Sequence, residues 1–294
     1  MEWKENLITL YLYICQSKAI KNYLQSIRQS NNCELDFTDE EAMTVYIFGI
    51  MQQYRKVKDI HLFTENFLKG WFPKLPSYSA FNNRLNTIAL GFEVMVSELL
   101  QEEKGRLIFD KESLIDSLPI IVAGNSRSSS AKVAKEICNK GYCSSKGMYY
   151  YGLKLHLMGC VRPSTIPLPE HCWFTSAGEN DLTAARPLLE RQQNRKIYAD
   201  KIYIDHALNE QLISKQNCII ITPIKKDKGQ ILMDAADDLF STAVSRVRQP
   251  IESIFNWLIE KTGIQNANKV RSKNGLLAHG WGRLATACCL ICLF

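Results

Sequence analysis

The run Leu114-Ile115-Asp116-Ser117-Leu118-Pro119-Ile120-Ile121-Val122 constrains the fold more than any other feature of the chain. It is rich in β-branched and apolar residues and predicts a strand. An ionised aspartate inside such a strand is costly unless a cation, a metal or hydrogen-bond donors compensate it. Asp116 therefore requires partners from elsewhere in the chain.

The sequence pattern changes at about residue 106. Before it the chain has helix-start signals and few strand-like alternations. Thr38-Asp39-Glu40-Glu41 puts Thr and Glu at capping-box spacing ahead of an apolar run through Val45, Ile47, Phe48, Ile50 and Met51, which predicts a helix. Pro73 and Pro76 break the next segment, and Ser77 opens a further helix carrying Asn82, Asn83, Arg84 and Asn86. Helices of this kind bind DNA or simply pack, and the spacing does not separate the two.

After residue 106 strands are expected at 114–122, 149–158 and 172–175. A helix through Leu182, Ala185, Leu188 and Leu189 follows, then a strand 196–200, a helix 207–214, a strand 218–222 and a helix from residue 251. The expected fold is α/β, a mixed sheet flanked by helices over residues 106–294, preceded by a helical region over residues 1–105. An RNase H-like sheet has this succession, and so do other α/β folds. Ser126 to Ser130, with Arg127 among them, is expected to be a mobile loop.

Composition excludes little: 46% hydrophobic and 22% charged residues are those of an ordinary globular chain. The net charge of +6 permits a polyanionic partner. Residues 241–294 hold Arg246, Arg248, Lys261, Lys269, Arg271, Lys273 and Arg283 against only Glu252 and Glu260, so the cations concentrate there. That is a phosphate-binding surface or a solvated face with scattered cations. The N-terminus has no apolar signal segment, so the ten cysteines are expected to be reduced core thiols. Cys138 and Cys143 lack the spacing of a zinc knuckle. The apolar tail Leu284–Phe294 is too short to span a bilayer and is expected to close the core, leaving no membrane segment.

Two further carboxylates join Asp116 as candidates. Asp200 ends a strand, where ligand clefts of α/β folds lie, although a turn or helix cap accounts for it as well. Glu252 opens a helix with Ile251, Ile254, Phe255, Leu258 and Ile259 on one stripe, and lies about 100° from Ile251 around the axis, on the flank of the buried face. Arg248, four residues earlier, either pairs with Glu252 or contacts a phosphate. Three converging carboxylates bind two hard cations, which activate a water or 3′-hydroxyl and stabilise the leaving oxygen.

At these residues the chain resembles the DDE transposases of bacterial insertion sequences, most of all insertion-sequence family nine-eighty-two. Phe72-Pro73-Lys74-Leu75-Pro76-Ser77-Tyr78, with Phe81 and Arg84-Leu85-Asn86, is similar to that family's N-terminal signature. Ile115-Asp116-Ser117-Leu118-Pro119 resembles its first catalytic strand. Gly141-Tyr142, Lys146 and Tyr151-Gly152-Leu153-Lys154-Leu155-His156 resemble the second strand and its approach. Ala199-Asp200-Lys201-Ile202-Tyr203 stands at the second aspartate motif, Arg248-Gln249-Pro250-Ile251-Glu252 matches the arginine-x-x-x-glutamate element, and Arg271-Ser272 with Gly275 resembles the C-terminal stretch. The argument is their joint occurrence in order.

The resemblance implies an RNase H-like DDE catalytic domain in which Asp116, Asp200 and Glu252 hold Mg²⁺ or Mn²⁺, as two ions. It also implies double-stranded DNA as partner, both terminal inverted repeats and target, with cleavage followed by strand transfer by a homo-oligomer on DNA, in the bacterial cytoplasm at the nucleoid. Lys201, Arg248, Arg271 and Lys273 are candidate DNA contacts. So are Lys154 and His156, which share strand parity and one face of the sheet, although a strand lysine more commonly packs its stem. Lys225, Lys226 and Lys228 are either backbone contacts or a solvated loop. Ile202 replaces a glycine often seen after Asp-Lys, Ser245 stands where a broader signature has tyrosine, and Ile259 replaces a lysine. A catalytically inactive DNA-binding remnant and a metal-dependent nuclease of the same fold are the competing readings.

Overall fold

The computed structural model describes residues 2–28, 35–106, 111–144, 146–162, 164–226, 229–230 and 232–294; Lys228 lies outside them. Six helices come first: α1 (Glu2–Gln16), α2 (Lys18–Ser26), α3 (Asp39–Met51), α4 (Val57–Phe67), α5 (Tyr78–Thr87) and α6 (Ala89–Arg106). Strands β1 (Glu112–Ala123), β2 (Asn139–Cys143), β3 (Met148–Cys160) and β4 (Leu168–Ser176) follow. Then come α7 (Asp181–Leu189), β5 (Arg195–Tyr198), α8 (His206–Gln216), β6 (Cys218–Ile221), α9 (Ala235–Arg248), α10 (Pro250–Thr262) and α11 (Lys273–Cys292).

The chain divides into two compact units: residues 1–105, 132–136 and 258–294 form the first, and residues 106–131 and 137–257 the second. In the first unit, the Thr38 hydroxyl accepts from the Glu41 N–H while the Glu41 carboxylate accepts from the Thr38 N–H, the reciprocal cap that starts α3. Ser77 caps α5 through the Ala80 N–H. Helix α3 is buried from Ala42 to Ile50, apolar on every side, as a central helix must be. The expected C-terminal tail is the end of a longer helix. α11 runs 20 residues, about 30 Å, long and apolar enough by length and composition to cross a membrane. It is nevertheless buried from Leu276 to Cys289 but for Leu277, and packs against α3 and α5 as a core helix. At Gly282 an added Cβ would collide with the Tyr46 ring, so glycine permits the close approach of α11 to α3.

The second unit is a six-stranded mixed sheet flanked by helices. Its order is β2-β3-β1-β5-β6, with β4 also on β3. β3 runs antiparallel to β1, β2 and β4, whereas β5 is parallel to β1 and to β6. Ile115, Met158, Ala185, Leu189, Ile197, Tyr203 and Leu212 pack in one cluster, which places α7 and α8 on the face of the sheet that Ile115 points to. The sequence pattern predicted every strand but β2 and every helix of this unit but α9. The 126–130 segment contains a 3-10 turn, Asn125–Arg127, in which the Ser128 hydroxyl donates to the Asn125 carbonyl at 2.8 Å. Among the described residues no disulfide forms.

Candidate active site

Asp116 sits midway along β1. β1 pairs in parallel with β5 as far as Leu114 and Tyr198, so Asp116 and Asp200 each lie two residues beyond the last pair, near enough for the Asp200 charge to act on Asp116. Asp200 lies just past β5 and caps the 3-10 turn Lys201–Tyr203, accepting from the Lys201 N–H at 2.6 Å. Glu252 lies in the first turn of α10, on the flank expected of it, its side chain 60% exposed.

Arg248, at the end of α9, joins two of these groups. Its Nη1 donates to Asp116 Oδ2 at 2.7 Å and its Nη2 to Glu252 Oε1 at 3.1 Å. The Ser117 N–H donates to Asp116 Oδ1 at 2.8 Å. These are the compensating partners that an aspartate in an apolar strand needs. Burial still dominates and pushes the Asp116 carboxyl up to about 6; Arg248 and the Ser117 N–H pull it down, and the charges of Asp200 and Asp181 push it further up. A cleft of about 520 Å³ opens beside these groups, lined by Asp200, Lys201, Ser245, Arg246, Arg248 and Glu252 among others.

The donor set is all carboxylate oxygen, which fits a hard divalent cation. Among the described residues no three His, Cys, Asp or Glu groups already stand close enough to share one ion. A guanidinium, that of Arg248, stands between Asp116 and Glu252 and bonds to both.

Successive strand residues face opposite ways, so Ser117 opens onto the other side of β1. There its hydroxyl donates to Asp181 Oδ2 at 3.2 Å. Lys154 Nζ donates to Asp181 Oδ1 and to the Glu179 carbonyl, both at 2.8 Å. The His156 ring stacks on Trp173 with centroids 5.0 Å apart, and its Nε2 shares a 2.7 Å hydrogen bond with Thr175 Oγ1. Burial pushes its pKa down to about 4, with Asp181 opposing and Lys154 reinforcing the shift. Lys154 and His156 thus share one face, as strand parity predicted, but that face is enclosed: His156 is buried and the Lys154 ammonium is taken up by Asp181. Lys201, Arg271 and Lys273 are exposed, as are Lys225 and Lys226. Arg271 and Lys273 belong to the first unit, and Arg283 is buried there rather than on a basic surface.

Two residues near the carboxylates carry no strong sequence signal. Asp181 follows the α7 cap Asn180 and looks like any acidic first-turn residue. Tyr203 is buried in the core cluster, its hydroxyl without a partner among the described residues. Burial first, then the charges of Asp116, Asp181 and Asp200, push its pKa well above the usual value.

Acids carried within one strand and just past its parallel neighbour, with cations lining the cleft beside them, are suited to polyanion chemistry. The family profile described as Transposase DDE domain matches residues 107–272, and because this span is more than half of the chain, the protein belongs to that family, the DDE-type transposases. No curated protein matches the chain. The matched span contains Asp116, Asp200, Glu252, Arg248 and Arg271 and stops one residue short of Lys273. Membership implies DNA as the partner, and divalent metal ions are what such transposases generally use.

Proposed function

We propose that this transposase cuts DNA at the ends of an insertion sequence, of the nine-eighty-two kind, and joins them to target DNA. In this reading Asp116, Asp200 and Glu252 hold two Mg²⁺ or Mn²⁺ ions on an RNase H-like sheet. What supports it is the family match over residues 107–272 together with Arg248, which bonds both Asp116 and Glu252 beside a cleft that Asp200 also lines. The metals, when bound, supply the activated water or 3′-hydroxyl and stabilise the leaving oxygen of an in-line displacement.

The chain's own residues do the rest. Asp116 is held by the Ser117 N–H, so one ligand is fixed before any metal arrives. Glu252 is 60% exposed and tied only by Arg248 among the described residues, so it is the ligand that would swing inward. Lys201, Arg246 and Arg248 line the cleft as cations for phosphate oxygens. Terminal inverted repeats, a homo-oligomer holding two ends, and action at the bacterial nucleoid in the cytoplasm belong to the same proposal.

The test incubates purified protein with labelled DNA carrying its element's ends and a target plasmid, in Mg²⁺ and in EDTA. Metal-dependent cleavage and joined products are expected, reduced at least about a thousandfold in Asp116→Asn, Asp200→Asn and Glu252→Gln, as when members of a catalytic unit are lost. Cleavage without joined products would identify a nuclease, and end binding without cleavage in any metal a DNA-binding remnant. Normal cleavage by Asp116→Asn would overturn the carboxylate assignment.

A further inference from the structure

We propose that Arg248 is a displaceable counter-ion: without DNA its guanidinium bridges Asp116 and Glu252, and a DNA phosphate draws it away, so that the acids take up divalent metal together with DNA. The inference rests on the reading of these carboxylates as metal ligands and adds how that site is loaded.

One guanidinium spans both acids, Nη1 at 2.7 Å from Asp116 Oδ2 and Nη2 at 3.1 Å from Glu252 Oε1. Mg²⁺ needs such oxygens at about 2.0–2.1 Å in octahedral geometry. A guanidinium bonded to both acids occupies the space between them and supplies the counter-charge an ion would supply, so the two cations compete. The parts differ in freedom. Asp116 is fixed in its strand and held by the Ser117 N–H. Glu252 is 60% exposed, and Arg248 sits where α9 gives way to α10. Glu252 therefore parts first, and the Arg248 side chain, 17% exposed, turns at the α9–α10 junction toward the cleft it already lines.

What Arg248 moves to is set by its shape and surroundings. A guanidinium fork matches phosphate oxygens as well as carboxylates, and Arg248 lines the cleft with Arg246 and Lys201. A phosphate entering among these cations offers Arg248 an exchange partner just as Asp116 and Glu252 become available. Coupling of this kind is reciprocal, so metal must tighten DNA by the factor by which DNA tightens metal. A metal site that loads with its substrate would stay quiet in the absence of DNA.

The experiment measures Mn²⁺ affinity by counting free Mn²⁺ in electron paramagnetic resonance, with metal alone and with a mixed-sequence double-stranded oligonucleotide at low salt. Wild-type protein is expected to bind Mn²⁺ weakly alone and more tightly with the duplex. Arg248→Gln is expected to bind Mn²⁺ at least about tenfold more tightly than wild type without DNA, the scale of removing one charge-assisted contact, and to gain nothing further from the duplex. Arg248→Lys keeps the charge but loses the fork and should fall between; circular dichroism checks that each variant is folded, and Arg248→Lys carries the test if Arg248→Gln is not. Variants that match wild type without DNA overturn the proposal. Asp116→Asn separates the two levels: unchanged Mn²⁺ binding in that variant overturns the carboxylate reading, whereas lost binding with no effect of Arg248 substitution overturns the counter-ion alone.

Discussion

His156 is fully buried, flat against Trp173, with one ring nitrogen on Thr175 and the other without a partner among the described residues. Its folded pKa of about 4 lies below the ordinary 6.5, chiefly through burial, with Lys154 adding to the shift and Asp181 opposing it. The neutral ring is therefore favoured by folding. That contribution is complete above pH 6.5 and is lost as pH falls toward 4, because the unfolded chain takes up a proton the native chain refuses. The protein should be about 1 kcal/mol less stable at pH 5.5 than at pH 7.5 on this account. In His156→Phe, which keeps the stack on Trp173, this part of the pH dependence should vanish in urea unfolding; an unchanged slope would assign it elsewhere. Residues at this scale were legible unequally. Asp116 declared itself because an acid in an apolar strand is anomalous by local sequence alone. Asp181 and Tyr203 did not, because what makes them unusual is proximity to Asp116 across strand and helix, which spacing does not encode.

Elements were legible where their signal is local. The Thr38 capping box and the Ser77 cap mark helix starts by side chain-to-backbone bonds three residues apart. Helix α9 was not expected although Leu239, Phe240, Ala243, Val244 and Val247 recur at helical spacing; of these only Val244 is buried, so the stripe is no core face. Strand β2, Asn-Lys-Gly-Tyr-Cys, has little intrinsic strand preference and exists by its ladder to β3, where Tyr142 and Tyr149 meet across strands at 5.0 Å. Strand β3 is exposed to a single change at Gly152. Gly152 pairs with Ile121 beside the register shift between Ile121 and Ala123, and a Cβ there would run into the Ile120 carbonyl oxygen. The obstacle is backbone of the adjoining strand, so no side chain can turn aside to relieve it. Gly152→Ala should therefore cost about 2 kcal/mol or more, read as a lowered urea midpoint with little change in slope. A neutral result would mean that the bulge absorbs the methyl.

At the scale of the whole molecule, residues 258–294 group with the N-terminal helices, whereas residues 106–131 and 137–257 form the sheet-bearing unit. A linear sequence shows that α11 is apolar; it does not show which partner buries it. Helices α3 and α11 are each buried over most of their length and pack on one another, so neither can close a core with the other removed. Their polar interior is shared as well. Arg283 donates to the carbonyls of Thr262 and Arg55 and to His279 Nδ1, and Arg55 donates to the Lys261 carbonyl at 2.8 Å. A fragment of residues 1–105 alone would expose α3 to water and leave the Arg55 carbonyl and guanidinium without these partners. We expect that fragment to keep helical far-ultraviolet dichroism but to melt without a cooperative transition and to bind a hydrophobic dye. Adding a chain of residues 258–294 should restore a sharp transition. A cooperative melt of residues 1–105 by themselves would instead mean that six helices suffice, and that α11 is an addition to a core already closed.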